Sequence, residues 1–287
     1  MTSTSAALKQ ALKAALRSGE RLSALHPRAY PLKGWWRGGD VELSCPAPQD
    51  WPMPVGASVI EAKHGYQFGP ENLTLPWVLD QLKGLGHLDD VSGGVVELGA
   101  GSGSLGLLAS HTLNASLLIC VEQQAAQCDR LRRTLEAFSS ISPHHALKVI
   151  EGDLRDTETL ISLENLRSSL GQPRNSTSVV IMNPPFFPVG WGRESDSDEV
   201  HLSTHAVMGD LSDFLRVAHR LMEPSGISLT LYDARRMGDV ISALAREELS
   251  LIGLWGTPDL RSGRSREANR VWVAASRQGG APVGWLS

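Results

Sequence analysis

The stretch Asn183-Pro184-Pro185-Phe186 combines an amide, two prolines and an aromatic ring. It follows the apolar, β-branched run at 179–182, which predicts a strand that leads into a loop. Each proline fixes its own φ and disfavours helix at the residue before it, so the stretch should be stiff and extended. The Asn183 side-chain oxygen and the Pro184 carbonyl can then accept two N–H bonds while Phe186 stacks. This chemistry suits a planar group that carries an amine; the alternative is a proline-rich turn with Phe186 in the core.

A glycine-rich turn separates a short strand predicted at 94–98 from a helix predicted at 104–109. Its first, third and fifth residues are Gly99, Gly101 and Gly103, and a GxGxxG pattern begins at Gly101. The pattern alone is weak, but between a strand and a helix it indicates a cofactor of the adenosine type at the first βα turn.

Carboxylates close three successive predicted strands: Glu97, Glu122 and Asp153. Glu97 would repel a pyrophosphate but suits a cationic sulfonium or ammonium group. Glu122 stands where a bidentate acceptor for both ribose hydroxyls is expected. Asp153 is placed to accept a hydrogen bond from an adenine amino group. The alternative is that each carboxylate caps the next helix, which explains one such residue better than three.

The elements that must position these residues alternate along the chain. Strands are predicted at 94–98, 117–121, 147–150, 179–182, 227–231, 249–254 and 271–274, and helices at 71–82, 104–109, 124–138, 158–170, 212–222 and 237–247. This order predicts an α/β fold, a Rossmann-like, seven-stranded, mostly parallel sheet covered on both faces. A ligand then belongs at the carboxyl ends of the strands.

Residues 1–55 are expected to form a small N-terminal extension, helical and irregular, ahead of a main domain at 56–287. A helix at 6–17 places its basic residues on one face, which fits a solvated surface, RNA contact or a targeting segment. The segment 26–56 holds six prolines and interleaves bases with aromatics. That composition could stack nucleobases and bind substrate, or pack a small subdomain.

Composition limits the classes of partner. The chain has 287 residues, 41 % hydrophobic and 20 % charged, and a net charge of −4, so it lacks the overall basicity of a nucleic-acid binder. No apolar run approaches the ~20 residues that cross a bilayer. Three scattered cysteines without CxxC spacing indicate reduced thiols in the cytoplasm, without a zinc or other metal site. The oligomeric state, monomer or homodimer, stays open.

Further candidates for substrate contact lie in two predicted loops. Phe187 and Trp191 follow the proline pair, in a loop that could cover the substrate or be solvated. Arg261 and Arg264 belong to a basic loop before the last predicted strand, and they could bind phosphates or serve solubility.

Residues 95–103, Glu122, Asp153 and the stretch 183–186 together resemble the class I S-adenosylmethionine-dependent methyltransferases. The pattern is most similar to the family of the bacterial valine-tRNA adenine-N6 methyltransferase, over roughly residues 60–276. In that family a Phe-containing segment precedes the cofactor loop, as Phe68 does here. The family usually has tyrosine where this chain has Phe186, which stacks but lacks the phenolic hydrogen bond.

The resemblance implies S-adenosylmethionine as cofactor, with Asn183 next to it, and methyl transfer to an exocyclic amino nitrogen. Adenine N6 in tRNA or another structured RNA is the first candidate. A glutamine amide in a protein and guanine N2 in ribosomal RNA are rival targets. An NAD-dependent oxidoreductase would explain the glycines and Glu122 but leaves Glu97 and Asn183 without roles. A catalytically silent scaffold is the remaining alternative.

Overall fold

The computed structural model describes residues 57–62, 69–139, 146–185, 209–258 and 268–278. It also gives the backbone of four short strands, Arg21–Ala24, Arg37–Gly38, Val41–Glu42 and Gly284–Trp285. Several predictions lie outside the described residues: the helix at 6–17 and the site candidates Phe68, Phe186, Phe187, Trp191, Arg261 and Arg264.

The described residues form twelve strands and six α-helices. The strands are β1 (Arg21–Ala24), β2 (Arg37–Gly38), β3 (Val41–Glu42), β4 (Ser58–Glu61), β5 (Val95–Leu98), β6 (Leu117–Glu122), β7 (Ala146–Glu151), β8 (Thr177–Met182), β9 (Met222–Asp233), β10 (Ser250–Pro258), β11 (Ala268–Ser276) and β12 (Gly284–Trp285). The helices are α1 (Leu75–Gly84), α2 (Ser104–Leu113), α3 (Ala125–Ser139), α4 (Thr157–Ser169), α5 (Leu211–Leu221) and α6 (Met237–Arg246). Short 3₁₀ segments, Pro70–Thr74 and Ala234–Arg236, precede α1 and α6.

One sheet of eight strands has the order β12-β10-β11-β9-β8-β5-β6-β7. The five adjacent strands β9, β8, β5, β6 and β7 are parallel to one another. Strand β11 runs antiparallel to both of its neighbours, β9 and β10. The predicted Rossmann-like, mostly parallel sheet is therefore confirmed. The two-residue β12, parallel to β10, adds an eighth strand at the edge.

The strand order reverses at β5, which lies between β6 and β8. In the register, Leu98 pairs with Val121 on one side and with Met182 on the other. The residues that follow these three positions, the glycine turn, Glu122 and Asn183, therefore emerge side by side. A reversal of this kind opens a crevice at the carboxyl ends of the strands, where ligands bind.

Helices cover both faces of the sheet, and the strands supply alternate residues to each side. Val95 and Val179 belong to the core with α1, α2 and α3, whereas Val96 and Val180 belong to the core with α4, α5 and α6. All four are fully buried. Burial on both faces explains why these strands are continuous apolar runs without polar alternation.

The region predicted as one helix at 71–82 is two elements. A 3₁₀ turn at Pro70–Thr74 precedes α1, whose second residue is Pro76. Proline is accepted in the first turn of a helix but not in its interior, so α1 has to begin just before Pro76. The prediction of a continuous helix was wrong for this reason.

Part of the predicted N-terminal extension pairs with the main domain. Strand β1 is antiparallel to β4, with Arg21 opposite Glu61. The backbone N–H of Ile60 in β4 donates to Thr134 Oγ1 in α3 at 3.1 Å, which ties this ribbon to the helical layer. Strands β2 and β3 form a second antiparallel pair.

Candidate active site

A cavity opens at the carboxyl ends of β5, β6 and β8 and encloses about 860 Å³, its open mouth included. Six predicted site residues line it: Glu97, Gly99, Gly101, Glu122, Asn183 and Pro185. Pro184, next to the last of these, is buried. The described part of the chain thus brings together the glycine turn, two strand-end carboxylates and the amide that the sequence singled out.

The glycine turn depends on backbone conformations that other residues rarely adopt. Gly99, Gly101 and Gly103 have φ of 64°, 52° and 77°. A Cβ on Gly99 would meet the ring of Phe214 at 2.9 Å. The turn is closed by a hydrogen bond of 2.7 Å from the Gly103 N–H to the Ala100 carbonyl. The geometry therefore favours glycine at these positions.

Glu122 anchors the turn to the end of β6. Its Oε2 accepts from the Gly101 N–H at 2.8 Å, and its Oε1 accepts from the N–H groups of Gln123 and Gln124 at 2.9 and 2.8 Å. The side chain is buried but lines the cavity. Its contact with ribose stays a prediction.

Glu97 lies deeper, near the end of β5, and points at the first turn of α2. Its Oε2 accepts from the Gly106 N–H at 2.9 Å, and the Cys120 thiol donates to the same oxygen at 3.7 Å. Burial raises the pKa of Glu97 to about 8, because ionisation is disfavoured away from water. At neutral pH most of this carboxyl is protonated in the free protein.

Asp153 differs from the other two carboxylates. It forms an ion pair with Arg155 at 2.6 Å and accepts from Gln123 Nε2 at 3.0 Å. Hydrogen bonding from Arg155 lowers the pKa of Asp153 below its ordinary value. Its neighbours Gly152 and Leu154 line the cavity, whereas Asp153 is not among the lining residues. An adenine amine would have to share this carboxylate with Arg155, and the contact stays a prediction.

Several residues of the cavity wall could not be expected from the sequence, among them Glu61, Asn72, Gln127 and Phe214. The first three are polar side chains exposed by 3 % or less. They come from β4, from the 3₁₀ turn and from α3, so no local pattern places them together. Phe214 has the helical spacing of a core residue, and a capping box between Asp210 and Asp213 fixes the start of its helix.

The described residues contain no cluster of three or more potential metal ligands. None of their helices is long and apolar enough to cross a membrane. Cys120 and Cys128 are buried free thiols.

Comparisons with known proteins give structural similarity only. No family model and no curated sequence matches the chain. A protein from Agrobacterium tumefaciens predicted to be an O-methyltransferase is 21 % identical, with coverage of 69 % of this chain and 80 % of that one and a TM-score of 0.45. A candidate RNA methyltransferase from Pyrococcus horikoshii is 20 % identical, with coverage of 74 % and 85 % and a TM-score of 0.45.

TYW2 from P. horikoshii, solved with MeSAdo, is 12 % identical, with coverage of 79 % of this chain and 70 % of that one and a TM-score of 0.47. At these identities and scores, the activity of this chain has to be argued from its own residues.

Proposed function

We propose that this chain is an S-adenosylmethionine-dependent methyltransferase that acts on an exocyclic amino nitrogen, with adenine N6 in tRNA or another structured RNA as the first candidate. The observation that carries the proposal is the shared cavity of the glycine turn and Asn183. The register that pairs Leu98 with Met182 sets these two features side by side. A cofactor on the turn would therefore face an amine held by Asn183.

The charge of the cavity favours a cationic cofactor over a dinucleotide. Glu61, Glu97 and Glu122 line it, and no lysine, arginine or histidine does so among the described residues. A pyrophosphate would face these carboxyl groups with no basic side chain in the described lining, which is costly in a partly buried site. This observation supports S-adenosylmethionine against the NAD-dependent alternative.

The chain's own groups supply acceptors for the amine. The Asn183 side-chain oxygen and the Pro184 carbonyl would each accept one N–H, which orients the nitrogen lone pair. These bonds strengthen as positive charge grows on nitrogen, so they stabilise the transition state more than the bound substrate. When bound, S-adenosylmethionine would supply an electrophilic methyl group for the nitrogen, with its thioether as leaving group, and the amine proton would leave to solvent.

The choice of RNA depends on sequence features outside the described residues. The bases interleaved with aromatics between 28 and 37, together with Arg261 and Arg264, suit phosphate and base contacts. Phe186 would stack on an extruded base. A glutamine amide presents a similar planar nitrogen to Asn183, so the protein target is the second candidate.

Two measurements test the proposal. Calorimetric titration with S-adenosylmethionine and with NAD should show binding of the first alone. Incubation with tritiated cofactor and separate tRNA, ribosomal RNA and protein fractions should label tRNA, with the label recovered in N6-methyladenosine after digestion. Label in the protein fraction alone would select the glutamine alternative, and NAD binding would reject the methyltransferase assignment.

A further inference from the structure

A buried amide oxygen on the cavity wall has no hydrogen-bond partner among the residues that the structure describes. Asn72, in the 3₁₀ turn before α1, is 3 % exposed and lines the cavity. Its Nδ2 donates to Ser104 Oγ at 3.1 Å. Its Oδ1 has no hydrogen-bond partner within the described part of the chain. An acceptor in this state is costly to bury and is ready to receive a donor from a ligand.

The position of this oxygen along the glycine turn limits what the donor can be. Glu122 holds the N–H of Gly101 at the start of the turn. Asn72 contacts Ser104, the first residue of α2, and Glu97 accepts from the N–H of Gly106, two residues further along the helix. If the Glu122 carboxylate binds the ribose of the cofactor, the amino-acid part of the cofactor lies towards Asn72 and Glu97.

The groups around Asn72 favour a donor that carries positive charge. Two carboxyl side chains of the same wall, Glu61 and Glu97, are exposed by 3 % or less. No basic side chain lines the cavity among the described residues. An ammonium group has three donors and no acceptor, so it matches a wall of oxygen acceptors.

We propose that Asn72 Oδ1 accepts a hydrogen bond from the α-ammonium group of the cofactor's amino-acid part. The inference rests on the proposed function and deepens it, because it assigns a positioning residue for that part of the cofactor. Asn72 then makes the site discriminate between adenosine thioethers that carry the amino acid and those that lack it. Glu122, in contrast, contacts a part that both kinds of ligand share.

Two stable ligands separate these contributions. S-adenosylhomocysteine carries the amino acid, whereas 5′-methylthioadenosine has the same adenosine and sulfur without it. Affinities of both are measured by calorimetry for the full chain and for Asn72→Ala, Asn72→Asp and Glu122→Gln. Asn165→Ala, an exposed asparagine of α4, serves as the matched control. Thermal unfolding verifies that each variant is folded.

Asn72→Ala should weaken S-adenosylhomocysteine binding by about 10- to 100-fold, the range for a hydrogen bond to a charged group, and methylthioadenosine binding by less than about 2-fold. Asn72→Asp keeps an acceptor and should retain or improve the first affinity. Glu122→Gln should weaken both ligands to a similar degree. Because Asp is nearly isosteric with Asn, the comparison holds even if the alanine variant fails to fold.

Equal loss of both ligands in Asn72→Ala, or loss of S-adenosylhomocysteine in a folded Asn72→Asp, would overturn the assignment of Asn72. An unmodified protein that binds neither ligand, nor S-adenosylmethionine, would instead reject the proposed function itself. The two failures are therefore distinguishable in one set of titrations.

Discussion

At the scale of single residues, Glu97 has the most unusual environment in the site. Its pKa is raised to about 8 by burial, although it lies where a cationic ligand is expected. A cation nearby favours the ionised carboxylate, so a cofactor that binds below pH 8 must displace a proton. The group is therefore neutral in the free protein and charged beside its ligand.

This coupling predicts a pH dependence of cofactor affinity. Between pH 6 and 8 the affinity for S-adenosylmethionine should rise with pH, by up to about tenfold per unit, and it should level off above pH 8. For Glu97→Gln, the affinity measured by calorimetry at the same pH values should change with pH only through the titration of the cofactor's own groups. Parallel profiles for the two proteins would contradict the role of Glu97.

Asp233, at the carboxyl end of β9, supports the fold by ion pairing. It is 1 % exposed and pairs with Arg235 at 2.6 Å and Arg270 at 3.0 Å. Hydrogen bonding from Arg235 is the main cause that lowers the pKa of Asp233 to about 2. The stabilisation is fully present above the ordinary pKa, 3.8, and is lost as pH falls through the lowered value.

Asp233→Asn should therefore lower the free energy of unfolding by about 2 kcal/mol at pH 6. The difference from the unmodified protein should shrink between pH 4 and pH 2. Urea unfolding across this range measures it. Asp239→Asn is the matched control, because Asp239 is half-exposed in its pair with Arg236 and should change stability little. A difference for Asp233→Asn that is independent of pH would exclude the ion pair as its cause.

At the scale of elements, the unit of β5, glycine turn and α2 combines geometry with binding. Gly99→Ala places a Cβ 2.9 Å from the Phe214 ring on a backbone with φ of 64°. The left-handed conformation alone costs roughly 1–2 kcal/mol, and the contact adds to it. Unfolding in urea and titration with S-adenosylhomocysteine should both show a loss.

Gly84→Ala is the control for this substitution. Gly84 ends α1, and a Cβ there has nothing within 4 Å. Alanine favours helix, so this variant should be as stable as the unmodified protein or slightly more stable. A Gly99→Ala variant that behaves like Gly84→Ala would mean that the turn tolerates a different conformation.

The elements that the sequence predicted well are those whose residues carry their own pattern. The apolar runs of β5, β6 and β8 are buried on both faces, and the turn glycines have the positive φ that their type suggests. The start of β9 was predicted too late, at 227. Met222 already pairs with Thr177, although residues 223–226, Glu-Pro-Ser-Gly, have the composition of a turn.

Residues whose roles depend on tertiary contacts could not be predicted. Asn72 and Glu61 are ordinary polar residues in sequence, and they become wall residues only because their segments pack over α2 and α3. Asp153 looked like the other strand-end carboxylates, but Arg155, two residues later, occupies it. Competition between a ligand and a local side-chain partner is not visible in spacing.

At the scale of the whole molecule, the sheet order makes the site. Residues of the glycine turn and Asn183, about 85 positions apart, meet because β8 lies next to β5. At the opposite end of the same two strands, the Gly93 N–H donates to Ser178 Oγ. The parallel order could be expected from alternating elements, whereas the β1–β4 ribbon that joins residues 21–24 to this body could not.

Asn183 is proposed to bind the amine of the substrate and not the cofactor. The most direct measurement compares turnover and S-adenosylhomocysteine affinity for Asn183→Ala and the unmodified protein, with Asn165→Ala as control. We expect the rate of methyl transfer to fall by about 10²- to 10³-fold with affinity changed by less than about 2-fold. A variant that keeps its turnover and loses its affinity would contradict the account.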